Sequence, residues 1–194
     1  MKTNLILASS SPYRAELLRR LRLPFSVVRP STDEAARPGE LPEALARRLS
    51  IAKAQDVARN AAGCVVIGSD QVAELAGEAI NKPGSLALAR AQLRRLSGQT
   101  LVFHSGLAVL DTRSGRCEDA VVPTTVRFRR LSDAAIERYL ELEPAFDCAG
   151  SAKAEGLGIA LLESVRSEDP TALIGLPLIT LTTMLQQCQI ELPA

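Results

Sequence analysis

What this chain has little of narrows its function first. Aromatic residues are only 3% of its 194 positions, too few to build the stacking platform of a single-strand nucleic-acid binder. Neither sign of charge is in excess: 23 Lys and Arg against 22 Asp and Glu leave a formal +1. No bulk field therefore draws the chain to nucleic acid or to a membrane surface. No apolar run approaches the ~20 residues of a membrane span. The N-terminal stretch MKTNLILASSSPYR is too short in apolar residues for a signal peptide and reads as a strand. The four cysteines, Cys64, Cys117, Cys148 and Cys188, stand far apart with no CxxC pair. That argues against a zinc site and a disulfide framework, and cytoplasm is the expected compartment. The single histidine, His104, lies in an expected strand with no second histidine or cysteine placed to join it, and reads as a packing residue. There is no internal repeat and no low-complexity segment.

What remains is an ordinary globular composition, 46% hydrophobic and 23% charged. A chain of this length suits one domain over residues 1–194 and buries roughly 70% of its unfolded surface. Leu5-Ile6-Leu7-Ala8 reads as a buried strand, and Phe25 to Arg29 as a second. Leu41 to Asn60 is helical by period, with Leu41, Leu45, Leu49 and Ala52 on one stripe and Gly63 after its end. Cys64 to Gly68 is a continuous apolar run of the kind found in central strands, with Ser69-Asp70-Gln71 at its C-terminal end. A turn at Ala76-Gly77-Glu78 follows. Ser85 caps a helix closed by Gly98. Thr100 to Leu110 and Ala120 to Arg129 form two strands joined by the turn-rich DTRSGRCED. Ser132 caps another helix, CAGSAKAEGLGIALLESV is glycine-rich, and a helix from Pro177 to about Gln187 closes the chain. The alternation predicts an α/β fold with a mixed sheet, in two lobes around a cleft.

The chemistry-bearing residues share one theme. Ser11 caps a helix and Pro12 occupies its first turn, where a missing N–H costs nothing. The free N–H groups and positive dipole end of such a turn, with Ser9, Ser10 and Arg14 beside them, suit an anion, above all phosphate. Asp70 sits where α/β folds place their ligand sites, although a turn aspartate looks the same. Asp33 and Glu34 are solvated surface charge, or carboxylates able to hold Mg²⁺. Lys53 continues the Leu45–Leu49 stripe at i+4, so its stem runs along the buried face. Its ammonium either snorkels to water or enters a cleft. Lys82 is a loop lysine with the same two readings, and Glu155 lies among glycines that let a ligand approach the backbone. Arg94-Arg95 and Arg127, Arg129 and Arg130 read as solvated faces. Cations for phosphate oxygens and carboxylates for a metal and a water are what a Mg²⁺–polyphosphate site needs.

The ordered motifs SSSPYR, STDE, GSDQV, NKP and AGSAKAEGLGI, closing on DPTALIGLPLITL, resemble the Maf proteins over nearly the whole chain. That resemblance implies the inosine triphosphatase-like fold and nucleoside triphosphate pyrophosphatase activity. Tyr13, Gln71 and Glu155 resemble the YceF-like branch, which acts on 7-methyl-GTP. By resemblance Asp70 is the catalytic acidic residue. Tyr13, Gln71 and Glu155 set base choice, Ser9, Arg14, Lys53 and Lys82 grip the triphosphate, and Glu34 helps Asp70 hold a divalent metal, Mg²⁺ with Mn²⁺ or Co²⁺ as substitutes. The family also implies a homodimer, while the balanced charge, few aromatics and lack of a long apolar run argue against nucleic acid and membrane as partners. The chain departs from the family at Asn81, usually glycine, and at Ala152 and Ala154, where this branch often has a larger residue and a serine. The N7-methylated ring is cationic, so Tyr13 can stack on it with a gain of about 0.5–2 kcal/mol. Glu155 can accept from its N1–H and amine, and would be left buried and unpaired against a pyrimidine. The alternatives are a dTTP, UTP or other modified-nucleotide pyrophosphatase, and a non-catalytic cell-division regulator.

Overall fold

In the computed structural model, which describes residues 4–192, the first apolar run forms β1 (Asn4–Ala8) with only Asn4 exposed. Three serines later α1 (Pro12–Arg19) begins. The Ser11 hydroxyl accepts the Arg14 amide at 3.4 Å, so the cap that the sequence predicts is in place. Then follow β2 (Phe25–Val28), α2 (Pro42–Ala58), β3 (Cys64–Leu75), β4 (Glu78–Ile80), α3 (Leu86–Leu96), β5 (Thr100–Asp111), β6 (Arg116–Phe128), α4 (Asp133–Leu142), β7 (Leu162–Arg166) and α5 (Leu178–Gln187). The strands make one seven-stranded sheet in the order β2-β1-β3-β5-β6-β7, with β4 also on β3. Only the β1–β2 and β1–β3 pairings are parallel. This is the α/β fold with a mixed sheet that the alternation predicts. None of the described helices is long and apolar enough to cross a membrane.

Several boundaries differ from expectation, each for a tertiary reason. Strand β3 does not stop at Gly68. It stays paired to β5 from Val65 to Glu74, so Ser69, Asp70 and Gln71 lie inside a strand rather than past its end. Its other edge changes partner: β1 ends opposite Gly68, and β4 pairs only with Ala73 to Leu75. Residues 69–72 thus have no strand neighbour on that side, and an opening remains in the sheet. Strand β6 starts at Arg116, shortening the β5–β6 connection to residues 112–115. The glycine-rich segment yields β7, an unexpected edge strand on β6. On α2, Leu41 is 68% exposed, and the buried face is Leu45, Ala46, Leu49, Lys53, Ala54 and Val57.

The pleat divides the core. Leu107 and Val109 of β5 pack with α1 and α5. Leu101 and Phe103, on the same face nearer the strand's start, pack with α3 and α4. The opposite face of the sheet lies under α2, whose Ala54 and Val57 meet Ile6, Val66 and Ala108. Two glycines permit this contact. A Cβ on Gly68 would collide with the Ser50 carbonyl and stand 2.7 Å from the Ala54 nitrogen, and one on Gly106 would collide with the Ala46 carbonyl. The helix therefore rests on bare strand backbone. His104 is buried on that face, its Nε2 2.7 Å from Glu74 Oε2. Pro177 gives α5 no side-chain cap. Asp169, 2% exposed, does so instead, accepting the Ile179 and Thr180 amides at 2.7 and 3.3 Å.

Candidate active site

The opening beside residues 69–72 is the floor of a cleft of about 620 Å³, reached by Ser10, Arg14, Glu34, Lys53, Asp70 and Lys82 at one end. A neighbouring cavity of about 730 Å³ shares Ser10, Arg14, Glu34 and Lys53 and extends over Ser9 and the loop after β2. Because α2 sits directly on Gly68 and Gly106, Lys53 reaches the strand beneath it. Its Nζ lies 2.6 Å from Asp70 Oδ1 and 2.6 Å from Glu34 Oε1. Lys53 is 5% and Asp70 8% exposed, so a buried cation is balanced by carboxylates that also meet solvent through the cleft. Burial pushes the Glu34 carboxyl up. The Lys53 hydrogen bond and charge, with Lys82 and Arg14 beyond, outweigh that and hold it below its ordinary value.

The loop that carries Glu34 is tied to α2 on both sides. The Ser31 amide donates to Asp56 at 2.7 Å. Arg48 donates to both Glu40 oxygens and to the Ala35 carbonyl. Asp33 only accepts the Ala35 amide at 3.0 Å, a local turn bond. At the start of α1, Ser9 is 2% exposed and its Oγ accepts the Ser11 amide at 3.0 Å, so its own proton remains available. Arg14 donates Nε to the Gly175 carbonyl at 2.9 Å, which fixes the guanidinium and leaves its other N–H groups. Burial pulls Arg14 down from its ordinary value, while Asp70 and Glu34 pull it back; it stays a cation.

Ser69, Gln71 and Ser105 form a polar seam between the two apolar clusters. Gln71 Nε2 lies within 3.0 Å of Ser105 Oγ and of the Ala172 and Leu173 carbonyls. Ser105 donates to Ala172 at 2.7 Å, and Ser69 Oγ lies 2.9 Å from the Gly175 carbonyl. The amide nitrogen of Gln71 is therefore committed to the turn at 172–173, and its carbonyl oxygen is what it can offer the cleft. At the far end stand Tyr13, Phe103, Asp147, Cys148 and Glu155. Tyr13 donates its hydroxyl to Asp147 at 3.2 Å, and burial first, with the Asp147 charge, raises its pKa against Lys153. Glu155 is exposed at the rim of the cleft.

The sequence residues Ser9, Tyr13, Arg14, Glu34, Lys53, Asp70, Gln71, Lys82 and Glu155 all line this pair of cavities. Sequence reasoning missed Ser69, Phe103, Asp147 and Lys153. Ser69 and Lys153 had a signal, as the serine of GSDQV and the lysine of KAEG. A divalent cation fits the donor set. Glu34 and Asp70 already bring oxygens to one point, and among the described residues no cluster of three or more metal-ligating side chains stands elsewhere or here. Phosphate oxygens and water would complete the coordination, as is usual for Mg²⁺.

Comparison with known proteins adds a family. The family described as Maf-like protein matches residues 4–188. A 7-methyl-GTP pyrophosphatase of Bordetella avium is 60% identical over 94% of this chain and 92% of its own length. Those of Ralstonia nicotianae and Albidiferax ferrireducens are 58% and 52% identical, over 96% and 98% of this chain and 96% of each relative.

Proposed function

The chain belongs to the Maf-like protein family, and from that membership we propose that it hydrolyses 7-methyl-GTP to 7-methyl-GMP and pyrophosphate. The observation that carries this reading is the Lys53 ammonium held between Glu34 and Asp70 beside the capped start of α1. Cations, carboxylates and the start of a helix converge in one cleft that also has an aromatic wall.

In this reading the triphosphate lies over the α1 start. Ser9 donates its free proton to a phosphate oxygen, the Tyr13 amide at the α1 start donates to the anion, and Arg14, Lys53 and Lys82 neutralise charge. Asp70 orients the attacking water and takes its proton as oxygen adds to the α-phosphorus. The α–β anhydride breaks, and charge developing on departing pyrophosphate meets the two lysines. A divalent cation held by Glu34 and Asp70 would supply further charge neutralisation on the phosphates. Tyr13 stacks on the base, and Gln71 Oε1 and Glu155 accept from its edge. Removing a modified nucleotide before it enters RNA, in the cytoplasm, is the role that follows.

Pyrophosphate release with Mg²⁺ from 7-methyl-GTP, GTP, dTTP, UTP and CTP, beside Asp70→Ala, tests this. We expect a preference for 7-methyl-GTP and a loss of about 10²–10⁴-fold in the variant, the range for a positioned acid–base group. Preference for a pyrimidine would keep the enzyme class and overturn the base reading. Silence on every substrate would return weight to a regulatory role.

A further inference from the structure

The base end of the cleft carries charge that the mechanism above does not use. Asp147, exposed on the segment after α4, accepts the Tyr13 hydroxyl. Lys153 sets its Nζ 5.8 Å from the centre of the Tyr13 ring. The position of Lys153 is fixed through its backbone: its amide donates at 3.2 Å to the hydroxyl of Tyr139, which is 4% exposed. A Cβ on Gly158 would collide with the same peptide. Cys148 lines the same end, and its thiol is pushed up to about 12 by burial and then by Asp147 and Glu155, so it adds no charge. Two carboxylates, Asp147 and Glu155, face one ammonium, Lys153, and the base end is left negative.

Stacking on a tyrosine distinguishes a 7-methylated guanine from guanine only through the charge that the methyl group creates, since both present a flat purine face. When one enzyme handles two bases, the free enzyme cancels from the ratio of their kcat/KM values. Only interactions with the bound base and its transition state count. A fixed charge within several ångströms of the stacked ring is therefore a specificity element even if it never touches the base.

We propose that Asp147 is a specificity-determining residue for a cationic base, its carboxylate held beside the Tyr13 ring by the tyrosine hydroxyl, and that Lys153 is its counterweight. This rests on the function proposed above. Asp147 lowers the energy of a positive ring stacked on Tyr13. Lys153 raises it, and so sets how far the pocket prefers charge over shape. The two substitutions that remove these charges must act in opposite directions, which a merely structural role for either would not produce.

The experiment compares wild type, Asp147→Asn and Lys153→Met on 7-methyl-GTP, GTP and 7-deaza-7-methyl-GTP, an uncharged mimic of the methylated shape. Its readout is the ratio of kcat/KM for 7-methyl-GTP to that for the mimic. Asp147→Asn should lower this ratio about 3- to 10-fold, and Lys153→Met should raise it by a similar factor, as expected for unit charges a few ångströms apart in a partly wet cleft. Thermal unfolding close to wild type would show that both variants are folded, and the Lys153 arm stands alone if the Asp147 variant is not. An unchanged ratio in both variants, or a shift of both in one direction, would overturn the proposal. If wild type prefers 7-methyl-GTP and the variants keep its ratio, this inference fails alone. If wild type does not cleave 7-methyl-GTP, the function proposed above fails and takes this inference with it.

Discussion

Lys53 is a charged side chain with 5% exposure, tenable because two carboxylates meet it. Its place was legible in the sequence, because the i+4 step from Leu49 sends its stem down the buried face of α2. That its ammonium ends on Asp70 was not, since that depends on how closely the helix approaches β3. Glu155 shows the opposite limit: a motif gave its neighbourhood, but exposure depends on turns that no local pattern specifies. Glu40 offers a test at this scale. Hydrogen bonds from Arg48 and the Arg37 amide hold its carboxyl at about 2, below the ordinary glutamate value of 4.5. A depressed carboxylate stabilises the fold above its unfolded value and ceases to do so as pH falls through its folded one. Wild type should therefore unfold at a higher temperature than Glu40→Gln at pH 7. The difference should fade as pH drops from 4.5 to about 2, as thermal melts across that range would show.

Helix starts were the most legible elements, because Ser11, Ser85 and Ser132 each cap with their own side chain. That chemistry is local. Strand lengths were not, because β3 runs on only while β5 and β4 accompany it, and β7 exists only because β6 offers an edge. Gly68 reads in the sequence as the end of an apolar run; in the fold it is a contact point for α2. Gly68→Ala should force helix and sheet apart. We expect destabilisation of about 1–3 kcal/mol or more from overpacking, read by denaturant unfolding. Catalysis should fall as well, since Lys53 rides on the displaced helix. Gly63→Ala, where nothing lies within 4 Å but φ is +70°, would cost stability through strain without that loss of catalysis.

Across the whole molecule, β3 and β5 run beneath both apolar clusters and the seam between them, so the cleft is built on a continuous floor. Its carboxylates are already satisfied by Lys53, so the fold does not need a metal to hold them. Chelation with EDTA should abolish pyrophosphate release and leave the melting temperature of the nucleotide-free protein nearly unchanged. Added Mg²⁺ should restore activity, with a rise in melting temperature only when a nucleotide is present, as linkage requires of a site completed by phosphate. The pleat of β3 has a last consequence. Asp70 points to α2 and Lys53, while the next residue, Gln71, points through the other face to the turn at 172–173. Under the proposed reading, the hydrolytic step and the choice of base hang on opposite sides of one strand. Descent with modification can then rework the second while the first is inherited intact, so a lineage of such enzymes could diversify its diet of nucleotides without reinventing its chemistry.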